Sequence, residues 1–243
     1  MTALGFLCPS DHPKDDYPRI EQLLASDVRV DVIGTDTDED ARRVEVLRRL
    51  GAADRLAADV EALRLAGAEA VVWASTSGSF VHGWEGAHEQ VRSLARAAGM
   101  PASSTSFAFV HAAQEIGVRR VALAATYPDD VAGLFADFLR SAGLEVVAVR
   151  AAGVGSAAQA ATWGGPELFA LAEQADSGEA EAVLVPDTAL HTAAHLPALE
   201  QSLGKPVLTA NQVTVWEALR LTDRRVNAPA LGALFTREPI VQV

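Results

Sequence analysis

The chain has 243 residues, of which 49% are apolar, 21% charged and only 6% aromatic, a globular balance with ample material for a core. Its net charge of −12 excludes an extended nucleic-acid or anionic-membrane surface, which needs a clustered positive field, but says little about a small anion that feels only local groups. No apolar run approaches about 18 residues, so no spanning helix is expected, and a single cysteine excludes an intramolecular disulfide or a Cys-rich zinc site.

The opening Met1-Thr2-Ala3-Leu4-Gly5-Phe6-Leu7-Cys8 lacks a basic leader and reads as a first strand rather than a signal peptide, which makes the cytoplasm the default location. Further strands are predicted at about 28–34, 70–74 and 101–104, then at 119–125, 144–150, 181–186 and 206–209. All are short, bounded apolar runs, as strands buried on both faces require. Ala/Leu/Arg/Glu-rich segments of helical spacing lie between them, among them 39–66, 84–98, 129–142 and 166–176. Gly99, Gly143 and Gly204 stand where helices should end, and Pro101 and Pro206 follow two of these ends closely. Alternation of this kind predicts parallel sheets with right-handed crossovers.

The plan occurs twice. Ala68 to Thr76 matches Ala180 to Thr188 at an offset of 112, with five of nine positions identical. Gly99 to Val121 matches Gly204 to Val226 at an offset of 105, with seven of 23 identical. The expected architecture is therefore α/β, with two similar Rossmann-like parallel-sheet halves related by a pseudo-twofold axis and a site in the cleft between them. Residues 1–110 with about 211–243 are assigned to the first half, and 111–210 to the second. The segment from about 210 is expected to return to the first half.

Ligands of open α/β sheets bind beyond the carboxyl ends of the strands. Four loops occupy such places: Cys8-Pro9-Ser10-Asp11-His12, Ser75 to Phe80, Thr126-Tyr127-Pro128-Asp129 and Asp187 to Thr192. The Ser75-Thr76-Ser77-Gly78-Ser79 stretch either cradles an anion with backbone N–H groups, hydroxyls and a following helix N-terminus, or simply makes turns and N-caps. Asp187, at the mirrored position, is either an acid/base group, if burial or a substrate carboxylate favours its protonated form, or the N-cap of a helix starting near 192. Tyr127 either donates to a ligand oxygen or is half-buried with its hydroxyl in water. Cys8 is better read as an inert buried hydrophobe. His191 and His195 have the spacing of a metal pair on one helix face, but no third ligand completes a set, so a surface helix is preferred and no metal is expected. The acidic run Asp36-Thr37-Asp38-Glu39-Asp40 suits a helix entrance. No GxGxxG or P-loop implies a dinucleotide or ATP.

Together, Leu4-Gly5-Phe6-Leu7-Cys8-Pro9-Ser10, Ser75-Thr76-Ser77, Tyr127, Asp187-Thr188, Leu196-Pro197-Ala198-Leu199-Glu200 and Gly204-Lys205-Pro206-Val207-Leu208-Thr209-Ala210-Asn211-Gln212 resemble the aspartate/glutamate racemase superfamily. The likeness is to its maleate cis-trans isomerase and arylmalonate decarboxylase branch, and it covers nearly the whole chain. It implies a pseudo-symmetric site without metal or organic cofactor. It also implies that Thr76, Ser77 and Tyr127 bind substrate carboxylate oxygens, with Thr188, Pro9 and Cys8 completing the substrate-binding set. In that family the positions of Ser75 and Asp187 are often cysteines, paired acid/base thiols in the racemases. The isomerases use the first as nucleophile, and the decarboxylases use the second to protonate a carbanion.

Here both thiols are replaced. A serine hydroxyl is too weak an acid to stand in for a thiol and needs an adjacent base to become a nucleophile. Two-thiol racemisation and the cysteine–alkene route are therefore not expected. One-sided proton transfer by Asp187 is, in an isomerase- or decarboxylase-like lyase reaction on a small mono- or dicarboxylate, with Ser75 and Asp187 as the catalytic positions. The alternatives are a catalytically silent small-carboxylate binder and a hydrolase in which Asp187 activates water. The expected partners are the small carboxylate and a second copy of the chain, since this fold often leaves apolar helix faces that pair.

Overall fold

The structure is a computed structural model that describes residues 1–9, 16–35 and 42–236. Ser10, Asp11 and His12 of the first loop, and the acidic run 36–40, lie outside the described residues. In chain order the elements are β1 (Thr2–Cys8), α1 (Asp16–Leu24), β2 (Val28–Gly34), α2 (Val44–Leu50), α3 (Ala53–Leu65), β3 (Ala70–Trp73), α4 (Ser77–Phe80), α5 (Gly83–Ala98), β4 (Ala102–Ser104) and α6 (Thr105–Ile116). Then come β5 (Arg120–Ala125), α7 (Asp129–Ser141), β6 (Glu145–Ala151), α8 (Ala157–Ala161), α9 (Gly165–Ala175), β7 (Ala182–Val185), α10 (Leu196–Leu203), β8 (Val207–Thr209) and α11 (Ala210–Leu221). Among the described residues no helix is long and apolar enough to cross a membrane.

All eight predicted strands form, and they build two four-stranded parallel sheets of equivalent order, β2-β1-β3-β4 and β6-β5-β7-β8. The register bears on the duplication directly. Trp73 pairs with Ser104, and Val185 pairs with Thr209. The offset of 112 carries Trp73 onto Val185, and the offset of 105 carries Ser104 onto Thr209. Both partner residues also begin helices: Ser104 Oγ accepts from Phe107 N at the start of α6, and Thr209 forms a capping box with Gln212 at the start of α11.

The alternating faces of the strands decide how the halves meet. Leu4, Phe6 and Cys8 of β1, Val72 of β3, Val121 and Leu123 of β5, Leu184 of β7 and Leu208 of β8 lie in one continuous buried cluster. The opposite faces bury Leu7, Val71 and Trp73 against α3 and α5, and Val183 and Val185 against α9 and α10. The inner faces of both sheets thus share a single core. Between them, α6 and α11 pack on each other, and α11 also packs on β1, β3 and β4 of the first sheet.

Polar groups inside that helix pair are matched. Thr105 and Thr214 place their hydroxyls 2.7 Å apart, and Glu217, fully buried, accepts from Ser103 Oγ at 2.6 Å. His111 Nδ1 lies 2.9 Å from the same oxygen, and Arg220 Nε donates to Oε2 at 2.8 Å. Burial alone would raise the Glu217 carboxyl, but the hydrogen bonds from Arg220 and His111 outweigh it and pull it down to about 2.

The segment 39–66, expected as one helical stretch, is broken where described: α2 ends at Leu50 and α3 begins at Ala53. At the break stands Gly51, on which a Cβ would lie 1.9 Å from the Gly78 carbonyl oxygen and 2.6 Å from Gln90 Nε2. Gln90 Nε2 donates to both Gly51 O (2.6 Å) and Gly78 O (2.8 Å), fastening α2 to the Ser75–Phe80 segment.

Two outcomes follow for stability. Gly51→Ala should destabilise the fold by about 2–3 kcal/mol in urea unfolding, because the clash is with backbone that cannot swing aside. For Glu217, the folded value of about 2 lies below the ordinary 4.5, so its stabilising contribution is complete above about pH 4.5 and is lost as pH falls towards 2. Glu217→Gln should cost about 2–4 kcal/mol near neutrality and flatten the stability profile across that acid window.

Candidate active site between the halves

The loops after β3 and β5 and the loop after β7 converge across the boundary between halves. Ser75 is buried and its Oγ accepts the Gly78 N–H at 3.1 Å, closing the turn into α4. That helix has a single turn, so the macrodipole expected behind Ser75–Ser79 is small; the chain turns again before α5 begins at Gly83. Thr76 reaches into the other half, its Oγ1 donating to Pro186 O at 2.5 Å, while its own carbonyl accepts from Ser106 Oγ at 2.7 Å.

Tyr127 lies in the same cluster. It is fully buried rather than half-exposed, and its hydroxyl donates to Pro186 O at 3.0 Å. Burial, then the charge of Asp187, pushes the phenol well above its usual range; Arg42 and hydrogen bonds with Thr76 and Ser77 act in the other direction. Four of the expected site residues, Thr76, Ser77, Tyr127 and Asp187, are thereby brought together.

Asp187 follows the strand that places it and is 3% exposed. Its Oδ1 accepts the Ala189 N–H at 3.0 Å. Its Oδ2 accepts from Thr126 Oγ1 and from Arg42 Nη2, the latter at 2.6 Å. Arg42 is itself 5% exposed; its Nη1 donates to Thr126 Oγ1 at 2.7 Å and its guanidinium lies 4.9 Å from the Tyr127 ring centroid. Sequence reasoning missed Arg42. It shares no motif with Asp187 and stands 145 positions away, so only the fold reveals the pair.

The helix-cap reading of Asp187 does not hold: it closes a local turn at Ala189, and α10 begins only at Leu196. The backbone N–H groups of Thr192 and Ala193 are met instead by Asp16, at 3.1 Å each, and Asp16 also accepts from Asn211 Nδ2 at 3.0 Å. This buried carboxylate, also unforeseen, ties the start of α1 to the loop behind Asp187. Thr188 is half-buried and its carbonyl accepts from Asn211 Nδ2 at 3.3 Å. His191 lies in that loop and His195 just before α10, so their spacing does not place them on one helix face. Cys8 ends β1 fully buried, in the apolar cluster that includes Tyr17, and Pro9 beside it is half-buried.

The arrangement can therefore do two things chemically. It offers a carboxylate that can accept a proton, and it gathers three hydroxyls and a guanidinium able to receive ligand oxygens.

The sequence profile of the arylmalonate decarboxylase family matches residues 50–235. The arylmalonate decarboxylase of Bordetella bronchiseptica is 31% identical over 176 residues, covering 71% of this chain and 73% of its own. Among solved structures, a doubly substituted arylmalonate decarboxylase in liganded form superposes with a TM-score of 0.84 at 25% identity, covering 97% of this chain and 99% of that one. A maleate cis-trans isomerase variant from Nocardia farcinica, holding a covalently bound succinylcysteine intermediate, gives a TM-score of 0.89 at 20% identity over 98% and 99% of the two chains, a likeness of fold. By the extent of the profile match and the identity to the Bordetella protein, this chain belongs to the arylmalonate decarboxylase family.

Proposed function

We propose that the chain is a cofactor-independent enzyme of isomerase or decarboxylase type, acting on a small mono- or dicarboxylate with proton transfer on one face by Asp187. The observation that carries this reading is the meeting of Asp187 with Thr76, Ser77 and Tyr127 across the two halves. The named reactions of the relatives, on arylmalonates and on maleate, supply the substrate class.

Asp187, paired with Arg42, is the group that would carry the proton. In an isomerisation its carboxylate takes a proton from a substrate carbon, the C–H electron pair spreads into the neighbouring substrate carboxylate, and the proton returns at another carbon. In a decarboxylation the C–CO2 bond breaks and CO2 leaves, the electron pair passes into the same enediolate, and Asp187, having first taken a proton from solvent water, delivers it to that carbon. Thr76, Ser77 and Tyr127 would hold the enediolate oxygens, where preorganised donors count most. Ser75 would shape the loop through its bond to Gly78, with Thr188, Pro9 and Cys8 flanking the substrate. The succinylcysteine chemistry of the Nocardia enzyme requires a cysteine, and Cys8, the one thiol in this chain, is fully buried at the end of β1.

One observation favours a second reading. The hydroxyls of Thr76 and Tyr127 both donate to Pro186 O, and Asp187 is paired with Arg42, so these polar groups satisfy one another within the protein. A small-carboxylate binder without turnover would have no need to break these bonds beyond ligand entry.

A turnover assay separates the two. Maleate, phenylmalonate and phenylacetate are screened by thermal shift, and each binder is then followed by proton NMR for product. The enzymatic reading expects product from at least one binder, and a fall of about a thousandfold or more in rate for Asp187→Asn with carboxylate binding retained. Binding by the wild type without product establishes the silent binder, and full activity in Asp187→Asn removes Asp187 from the chemistry.

A further inference from the structure

Arg42 belongs to the first half and stands just before α2, yet its side chain is spent on the second half. Nη1 reaches Thr126, Nη2 reaches Asp187, the guanidinium covers the Tyr127 ring, and even its backbone N–H donates to Gly155 O at 2.9 Å. Holding α2 in place does not require this. The far end of α2 is fastened by Gln90 on Gly51 and Gly78, and Arg48 Nε donates to Val81 O at 3.1 Å.

The guanidinium fork is shaped for two oxygens of one carboxylate. Asp187 meets it with one oxygen only, since Oδ1 is taken by the Ala189 N–H, and the Thr126 hydroxyl fills the other prong. A ligand carboxylate can satisfy the fork more fully than Asp187 does. The same ring that Arg42 covers carries the hydroxyl that gathers with Thr76 and Ser77. An anion bound at those hydroxyls would stand beside the Asp187 charge, and within this cluster Arg42 is the cation placed to offset the repulsion.

We propose that Arg42 is the receptor for the substrate carboxylate and that Asp187 is the partner this carboxylate displaces. Ligand binding and the release of Asp187 from its counter-ion are then one exchange, which frees the base only when a carboxylate is present. This rests on the preceding reading that the site takes a small carboxylate, and adds to it the residue that recognises the charge.

Competition of this kind has an unusual signature. Removing the internal competitor should tighten binding, where removal of an ordinary binding residue would weaken it. Calorimetric titrations with malonate and with phenylacetate should show Asp187→Asn binding at least one of them about tenfold or more tighter than the wild type. The double variant Arg42→Met/Asp187→Asn should lose that gain. The double variant leaves no lone buried charge, and near-ultraviolet circular dichroism matching the wild type confirms its packing. No gain in Asp187→Asn, a gain that survives in the double variant, or no binding of either anion by Asp187→Asn each overturns the exchange. Turnover keeps the two readings apart: the affinity pattern with no product in the wild type would leave Arg42 as receptor and remove the enzyme. Product formation without the affinity pattern would do the reverse.

Discussion

Everything at the site depends on two sheets burying their inner faces in one core. A parallel sheet needs cover on both sides, and here each sheet receives helices on its outer face and shares α6 and α11 on its inner one. Because the two sheets have equivalent strand order, this packing directs equivalent strand ends towards a common boundary. Thr76 and Pro186, 110 positions apart in the chain, come within 2.5 Å as a result. The polar matches inside the α6–α11 pair, with Glu217 at their centre, make the shared core specific as well as apolar, since a buried carboxylate is tolerated only where its partners are fixed.

Duplication fixes position, and divergence then fixes charge. Ser75 and Asp187 are related by the offset of 112, and each lies in the loop just past the end of the equivalent strand of its sheet, but their surroundings differ. Ser75 folds back onto its own turn through Gly78, a local bond that any small hydroxyl would make. Asp187 meets an arginine from the other half together with the Thr126 hydroxyl and the Ala189 N–H. The symmetric frame therefore holds an asymmetric pair of loops, one carrying only dipoles and the other a compensated charge. The proposed proton transfer on a single face rests on this asymmetry.

Most of the strands were legible as short apolar runs closed by a charged or turn-forming residue, and all eight lie within a residue or so of their predicted bounds. The two helices that join the halves were much less so. Residues Thr105–Ile116 and Ala210–Leu221 are buried around most of their circumference, with Ser106, Asn211, Gln212 and Thr214 inside, so neither shows the one-sided stripe that betrays a surface helix. At the candidate site, Thr76, Ser77, Tyr127 and Asp187 were singled out from their places past strand ends, and their convergence followed from the repeat. Arg42 and Asp16 were not, because a long-range ion pair leaves no periodicity and no local spacing to read. The requirement for glycine at 51 escaped for a related reason: what a side chain there would meet, the Gly78 carbonyl above all, lies opposite in space and not nearby in sequence.

Asp187 and Arg42 are best understood as one feature rather than two. A thiol in a buried loop can stay neutral and needs no counter-ion, whereas a carboxylate there, alone, would be an uncompensated buried charge. The cost of leaving either member of such a pair unmatched is about 3–5 kcal/mol, a large part of the stability of a domain this size. Arg42 alone would be equally costly against the Tyr127 ring and Thr126. Each residue therefore makes the other tolerable, and together they leave the loop neutral while storing two charges beside the hydroxyl cluster. Under the exchange proposed above, such a site binds an anion without first creating a positive field, because its cation is already present and bonded and need only change partners.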